Sequence, residues 1–302
     1  MLREVGAAVL AMTTALSPAG PASGLSSGSA ASGVGARVEW RLADADDFRP
    51  GMLISDDRFY DDRAMDAEAI QRFLERTPCL PEDGAPCLSD YREDTPDVPD
   101  VGVGHCGAYH GGAGQRAADI LAEAGQACGM NPQVLLVLLQ KEQSLVTRPS
   151  TDGYLRATGY ACPDTADCDA DYFGFFNQVY NAAWQFRQYT LYPSGRGFGV
   201  GTVEVAYSPD ASCGAAPVRI RNQATANLYN YTPYQPNRAA LASLYGDGDA
   251  CSAFGNRNFW RIFTDWFGDP TAVLLPEWLG PCLAHEAGRP CLETYWVAPP
   301  PR

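Results

Sequence analysis

Apolar positions first fall into a helical rhythm at residues 66–76, where Ile70, Phe73 and Leu74 share one face and Asp66 stands at the N-cap position. A second helix is predicted over residues 115–128, with Ala117, Leu121, Ala124 and Cys128 on one face and Gly129 as its stop. Asn131-Pro132 opens a third, Asn as cap and Pro in the first turn. Its body, Val134 to Leu139, is apolar all the way round and must be enclosed by protein on every side. The cluster from Asp171 to Gln178 opens a fourth helix that continues through Trp184 and Phe186. Strict alternation appears only near Thr202–Tyr207 and Val218–Arg221, which pair as a small hairpin. The predicted class is mainly α (α+β), a helical domain carrying one small β-hairpin.

These patterns divide the chain. Val5 to Leu16 is a short apolar run, too short to span a bilayer but suited to a secretory signal, with cleavage after Ala22 or Ala31. Residues 23–37 read as a Ser/Gly/Ala linker. Residues 38–104 read as an N-terminal extension with one helix, closed by the Asp- and Pro-bearing loop 95–104. The dense helical region is 105–268, followed by a tail, 269–302. No later stretch is apolar enough for a transmembrane segment.

Composition sharpens this picture. The 302 residues carry a formal charge of -14 and no basic run, which argues against nucleic acid or anionic lipid as a partner. Lys141 is the sole lysine of the 22 basic residues. Ten cysteines behind a signal-like start point to disulfides and export. Spacing favours neighbour pairing: Cys79–Cys87, Cys106–Cys128, Cys162–Cys168, Cys213–Cys251 and Cys282–Cys291. With three histidines and no C-x-x-C, neither a metal nor another cofactor is expected. The segment from Pro78 to Tyr91 is repeated from Pro281 to Tyr295, which reads as a disulfide-closed loop used twice. The acidic run 164–171 lacks the glycine of a calcium loop and reads as a stapled loop between Cys162 and Cys168.

The chemistry gathers where the apolar helix ends, at Gln140-Lys141-Glu142-Gln143-Ser144. Helix-end backbone dipoles and burial both disfavour an ionised Glu142, and a neutral carboxylic acid is what glycosidic cleavage needs. Lys141, one residue earlier, is expected to point to another face. Downstream, aromatic and amide side chains interleave: Tyr160, Phe176, Asn177 and Gln178, then Tyr229, Asn230 and Tyr231. Sugars are bound by such mixtures, rings for their apolar faces and amides for their hydroxyls.

The order of these elements resembles the lysozyme-like superfamily, above all the lytic transglycosylases, over residues 115–268. Family motifs are Glu-Ser at a helix end, Gly-Leu-Met-Gln, and Tyr-Asn in a later helix. Here Gln143 follows Glu142 with Ser144 one place later, Gly174-Phe-Phe-Asn177-Gln178 replaces the second motif, and Leu228-Tyr229-Asn230 matches the third. The chain is also similar to a secreted module of high-GC Gram-positive bacteria sometimes labelled haemagglutinin. The resemblance implies Glu142 as catalytic residue, Asn177 or Gln178 in the place of the second motif's Gln, and Tyr229 with Asn230 in that of the third; Ser144, Tyr160, Phe176 and Tyr231 complete the expected substrate-binding residues. It implies peptidoglycan as partner and a cell-wall-associated, extracellular location. Hydrolysis would need a second carboxylate, for which Asp164, Asp169, Asp171 and Glu204 are candidates. A lone Glu142 fits the transglycosylase route, in which one residue serves as acid and then base. A non-catalytic glycan-binding or adhesion protein, and a purely structural envelope protein, are the competing classes.

Overall fold

The computed structural model describes residues 42–163 and 167–273. They are mainly helical, with two small antiparallel sheets. The helices are α1 (Asp56–Phe59), α2 (Ala67–Arg76), α3 (Ala117–Cys128), α4 (Pro132–Gln143), α5 (Thr151–Leu155), α6 (Phe175–Leu191), α7 (Gln223–Tyr231), α8 (Arg238–Ala242) and α9 (Gly255–Phe267). Strands β1 (Arg92–Thr95) and β2 (Gly112–Arg116) form one sheet, and β3 (Gly201–Ala206) and β4 (Ala215–Ile220) the other.

Helix α4 is the axle of the fold. Every side chain from Val134 to Leu139 is fully buried, as an all-apolar helix requires. It packs against α9 on one side and α3 on another, while α3 carries α2 and α6. Its ends are built from local chemistry. Asn131 caps the start, its Oδ1 accepting from Gln133 N at 2.8 Å, and Pro132 sits in the first turn where no donor is needed. The preceding α3 stops at Gly129, whose φ of 64° is the left-handed conformation that glycine adopts without strain. Asp66 caps α2 as its sequence predicts.

The sheets divide into one expected and one not. The pair β3–β4 has Val203 opposite Val218 and Thr202 opposite Arg219, the hairpin that alternation predicts. The pair β1–β2 was not visible in the pattern, and it shortens the second predicted helix. Gln115 and Arg116 are strand residues, opposite Glu93 and Arg92, and the helix starts at Ala117. The same pairing removes the boundary expected at 95–104. Residues before that loop contribute Leu53, Ile54, Phe59, Tyr60, Ile70 and Leu74 to the same core as α3, α4 and α6. A buried polar knot ties the two parts. Tyr60 Oη and Thr190 Oγ1 lie 2.7 Å apart, and Asn227 Nδ2 donates to both, at 3.0 and 2.8 Å.

Four disulfides follow the neighbour pairing: Cys79–Cys87, Cys106–Cys128, Cys162–Cys168 and Cys213–Cys251. No free cysteine remains among the described residues, which suits an extracellular, disulfide-bonded protein. The pair Cys282–Cys291, the repeat from Pro281, the signal, the linker 23–37 and Asp164 lie outside the described residues. No helix among the described residues is long and apolar enough to cross a membrane.

Candidate active site around Glu142

The last turn of α4 leaves the core and forms the floor of a groove. Lys141, Glu142 and Gln143 line a cavity of about 470 Å³ together with Gly159, Tyr231, Tyr234 and the start of α9. Lys141 does not turn away from Glu142 as the spacing suggested. Its Nζ donates to Glu142 Oε1 and, at 3.0 Å, to Thr232 Oγ1. The Lys141 side chain is only 4% exposed, against 26% for Glu142. The flexible four-carbon stem of lysine allows this: buried in the wall, it brings the ammonium back to its neighbour. Oε1 is thereby occupied, and Oε2 lies toward Gly159, where any Cβ would sit 3.7 Å from it.

Buried amides hold the walls. Gln178 is fully buried and its amide is fully engaged: Oε1 accepts from Thr158 N, Tyr160 N and Thr158 Oγ1 at 3.2, 3.1 and 3.3 Å, and Nε2 donates to Tyr160 O and Tyr172 O at 3.0 and 2.8 Å. The phenol of Tyr231 donates to Thr158 O at 2.8 Å, and its ring stacks on Phe186. Burial, reinforced by the charge on Glu142, pushes the Tyr231 phenol well above its usual range and keeps it a neutral donor. Opposite, Asn256 Nδ2 donates to Thr232 O and Tyr234 O at 2.8 and 2.9 Å, fixing the turn against α9.

Backbone strain marks the same place. Among the described residues, Ser144 and Ala161 are the non-glycine residues with positive φ, at 54° and 57°. Ser144 ends α4 two residues after Glu142, and Ala161 lines an adjoining cavity of about 390 Å³ with Tyr160, Pro163, Gln185 and Tyr189. The two cavities share Gly159, Cys162 and Tyr231, so they read as one groove with Glu142 in one part. Left-handed backbone at a non-glycine residue costs on the order of 1 kcal/mol and is concentrated at functional sites.

The structure sorts the sequence candidates. Glu142, Tyr160 and Tyr231 line the groove. Gln178 supports it from behind. Tyr229 belongs to the core: it is fully buried, with its phenol donating to Pro50 O at 2.9 Å, because it leaves α7 on the side away from Tyr231. Phe176 is likewise buried, stacked on Tyr180 and tilted against Tyr109. Asn230 is consumed by a loop, accepting from Phe198 N at 3.0 Å and donating to Phe198 O at 2.8 Å. Asn177 donates to Phe173 O at 2.9 Å as a brace of its own helix start. Asp169, Asp171 and Glu204 are exposed and lie outside both cavities, so Glu142 is the carboxylate among the described lining residues. No group of acidic, His or Cys residues suited to a metal occurs among the described residues.

Several lining residues were not candidates in the sequence reading. Gln143, Gln185 and Tyr189 face the cavities, and neither glutamine amide makes a side-chain hydrogen bond among the described residues. The spacing of Gln185 and Tyr189, four apart on α6, puts them on one helix face and was the available signal. Searches of protein-family models, of curated proteins and of solved structures return no match for this chain.

Proposed function

We propose that this is a cell-wall-active protein whose groove binds peptidoglycan glycan strands, with Glu142 as a single acid/base of the lytic transglycosylase type. One observation carries the reading. A lone carboxylate with one free oxygen stands in a groove walled by Tyr160, Tyr189, Tyr231 and Tyr234. In this mechanism Glu142 first takes up a proton from solvent on its free oxygen and then hands it to the glycosidic oxygen as the bond to the anomeric carbon breaks. The resulting carboxylate then takes the proton of the sugar's own 6-hydroxyl as that oxygen closes on the anomeric carbon, leaving a 1,6-anhydro end. A single acid/base needs no second carboxylate.

The Lys141–Glu142 ion pair favours a second reading, a glycan-binding protein without turnover, in which the pair is a fixed polar floor that hydrogen-bonds sugar hydroxyls. Mass spectrometry of purified peptidoglycan after incubation with the wild type and Glu142→Gln separates the two. Anhydro products from the wild type alone support the catalytic reading. Wall binding with intact glycan supports the second, and failure to bind the wall rejects both.

A further inference from the structure

Away from the groove, α9 helps to line another cavity, of about 460 Å³, which shares no described lining residue with it. Gly268 ends α9 at a φ of 82°, the left-handed region open to glycine, and turns the chain so that Asp269, Pro270 and Thr271 line the cavity with Trp260 and Thr264. Ser55 N pins that segment by donating to Pro270 O at 2.9 Å. The turn at Ala45–Asp47 supplies Asp44 and Asp47 to the lining. Asp44 Oδ1 accepts from Asp46 N at 3.0 Å and Asp269 Oδ1 from Thr271 N at 2.8 Å, while Oδ2 of each has no partner among the described residues. Arg49, also in the lining, donates from Nη1 to Asp46 O and Phe48 O at 2.5 and 2.9 Å. An acidic wall is ordinary in a chain of charge -14, and Trp260 is what sets this one apart. It is 2% exposed and packs edge-on against Phe48, yet its indole N–H makes no hydrogen bond among the described residues and is not sealed from solvent. Trp260 meets solvent at this cavity, so the donor is presented there. Buried indoles ordinarily find an acceptor within the protein.

From this juxtaposition we infer that the cavity binds an organic ammonium with an oxygen acceptor two carbons along, the N–C–C–O unit. Carboxylates only accept and an indole N–H only donates, so a ligand that answers both brings a cation and an acceptor together. A bare ammonium has donors alone and leaves the indole unanswered. A neutral alcohol or amide answers the indole and leaves the carboxylates without a charge partner. No group of acidic residues among those described is placed to hold a metal ion, so the complementary cation is an organic one. Two sources carry the unit: the α-amino end of a peptide and an amino sugar whose amine is free. Leu42 and Pro270 offer apolar surface to the carbons between the two groups. The inference does not rest on the reading of Glu142. Helix α9 lines the groove with Gly255 and Asn258 and this cavity with Trp260 and Thr264, and the two sites stand or fall separately.

The test reads the indole N–H directly, by nuclear magnetic resonance on the full chain labelled with a heavy nitrogen isotope. The chain has six tryptophans, and Trp260→Phe, which keeps an aromatic ring against Phe48, identifies the cross-peak that belongs to Trp260. The probes are alaninamide and glucosamine, with N-acetylalaninamide and N-acetylglucosamine as their uncharged counterparts. At least one amine is expected to move the Trp260 peak saturably, and its acetylated counterpart to move it at least fivefold less at the same concentration. Asp269→Asn keeps an acceptor for Thr271 and removes the charge, and is expected to weaken that binding at least threefold. Added salt should weaken it in the wild type. Movement with alaninamide alone assigns the peptide source, movement with glucosamine alone the sugar source, and movement with both makes the shared unit the whole of the recognition; each supports the site. A Trp260 peak that neither amine moves, or that the acetylated compounds move equally, overturns it. Because the wild-type titration decides between these outcomes, a variant that fails to fold does not blunt the test.

Discussion

Two buried polar assemblies stand close together in this protein and are used in opposite ways. In the knot between Tyr60, Thr190 and Asn227, polar side chains answer one another inside the core. Around Glu142 equally buried amides bond mainly to backbone, and they line a groove whose own side chains, Gln143 and Gln185, make no side-chain hydrogen bond among the described residues. The difference shows where binding capacity resides. Tyr and Asn occur in both places, so residue type does not make a site. A site arises where rigid backbone presents polar atoms that the fold itself has not used.

The largest effect should come from breaking the knot. Asn227→Leu keeps volume but strips Tyr60 and Thr190 of their shared donor in a fully buried place, and should cost about 3 kcal/mol of unfolding free energy by denaturant titration. A loss under about 1 kcal/mol would mean that water or a neighbour replaces the amide. The matching change in the groove is Gln178→Leu, expected to cost about 2–3 kcal/mol because buried Thr158 and Tyr160 backbone groups lose their partners. Unlike the knot variant, it should also abolish glycan binding at temperatures where the protein remains folded. Retained binding would detach the wall from the site.

Charge separates the two regions further. Asp56, beside the knot, accepts from Ala224 N at 2.8 Å, yet burial, with neighbouring Asp57 adding to it, raises its carboxyl to about 6. A folded-state value above the unfolded one means the wild type loses stability as pH climbs from about 4 to about 6 and then levels. Asp56→Asn keeps an acceptor for the amide and removes the charge. It should stabilise by about 2 kcal/mol at pH 7 and show almost no gain at pH 4, read from melting curves at both values. A gain independent of pH would place its cause elsewhere. Glu142→Gln should act in the opposite sense and more weakly, costing about 1 kcal/mol at pH 7 because a nearly buried Lys141 loses its countercharge. A stabilised variant would show that the ion pair contributes nothing to the fold.

Helices announced themselves in the sequence far better than the site did. The caps Asp66 and Asn131, the stop at Gly129 and the apolar cylinder of α4 are local signals, and local signals survive into the fold. The strand Arg92–Thr95 carries no alternating apolar set, and Gln115 is an ordinary helix former. Only the long-range pairing of Glu93 with Gln115 makes both residues extended. The Pro-bearing loop 95–104 looked like a border because composition cannot tell a linker from a connection across one core. In the site, Glu142 was legible as a lone acid at the end of an enclosed helix. The motif residues around it were not. Tyr229 and Tyr231 differ by two positions on α7, enough to send one into the core against Phe198 and the other to the groove beside Phe186. Residue type suggests sugar chemistry, but helix phase decides which ring is available.

The solitary lysine has one more consequence, for labelling chemistry. A chain of 302 residues whose single ε-amine is Lys141, with a side chain 4% exposed, offers acylating reagents almost nothing but its α-amino group while folded. Amine modification therefore becomes a site-specific reporter: in the folded state it stays near one label per chain, and it gains a second when the end of α4 opens. Because that amine is held between Glu142 and Thr232, its rate of acylation measures the opening of the groove floor itself, without any engineered probe.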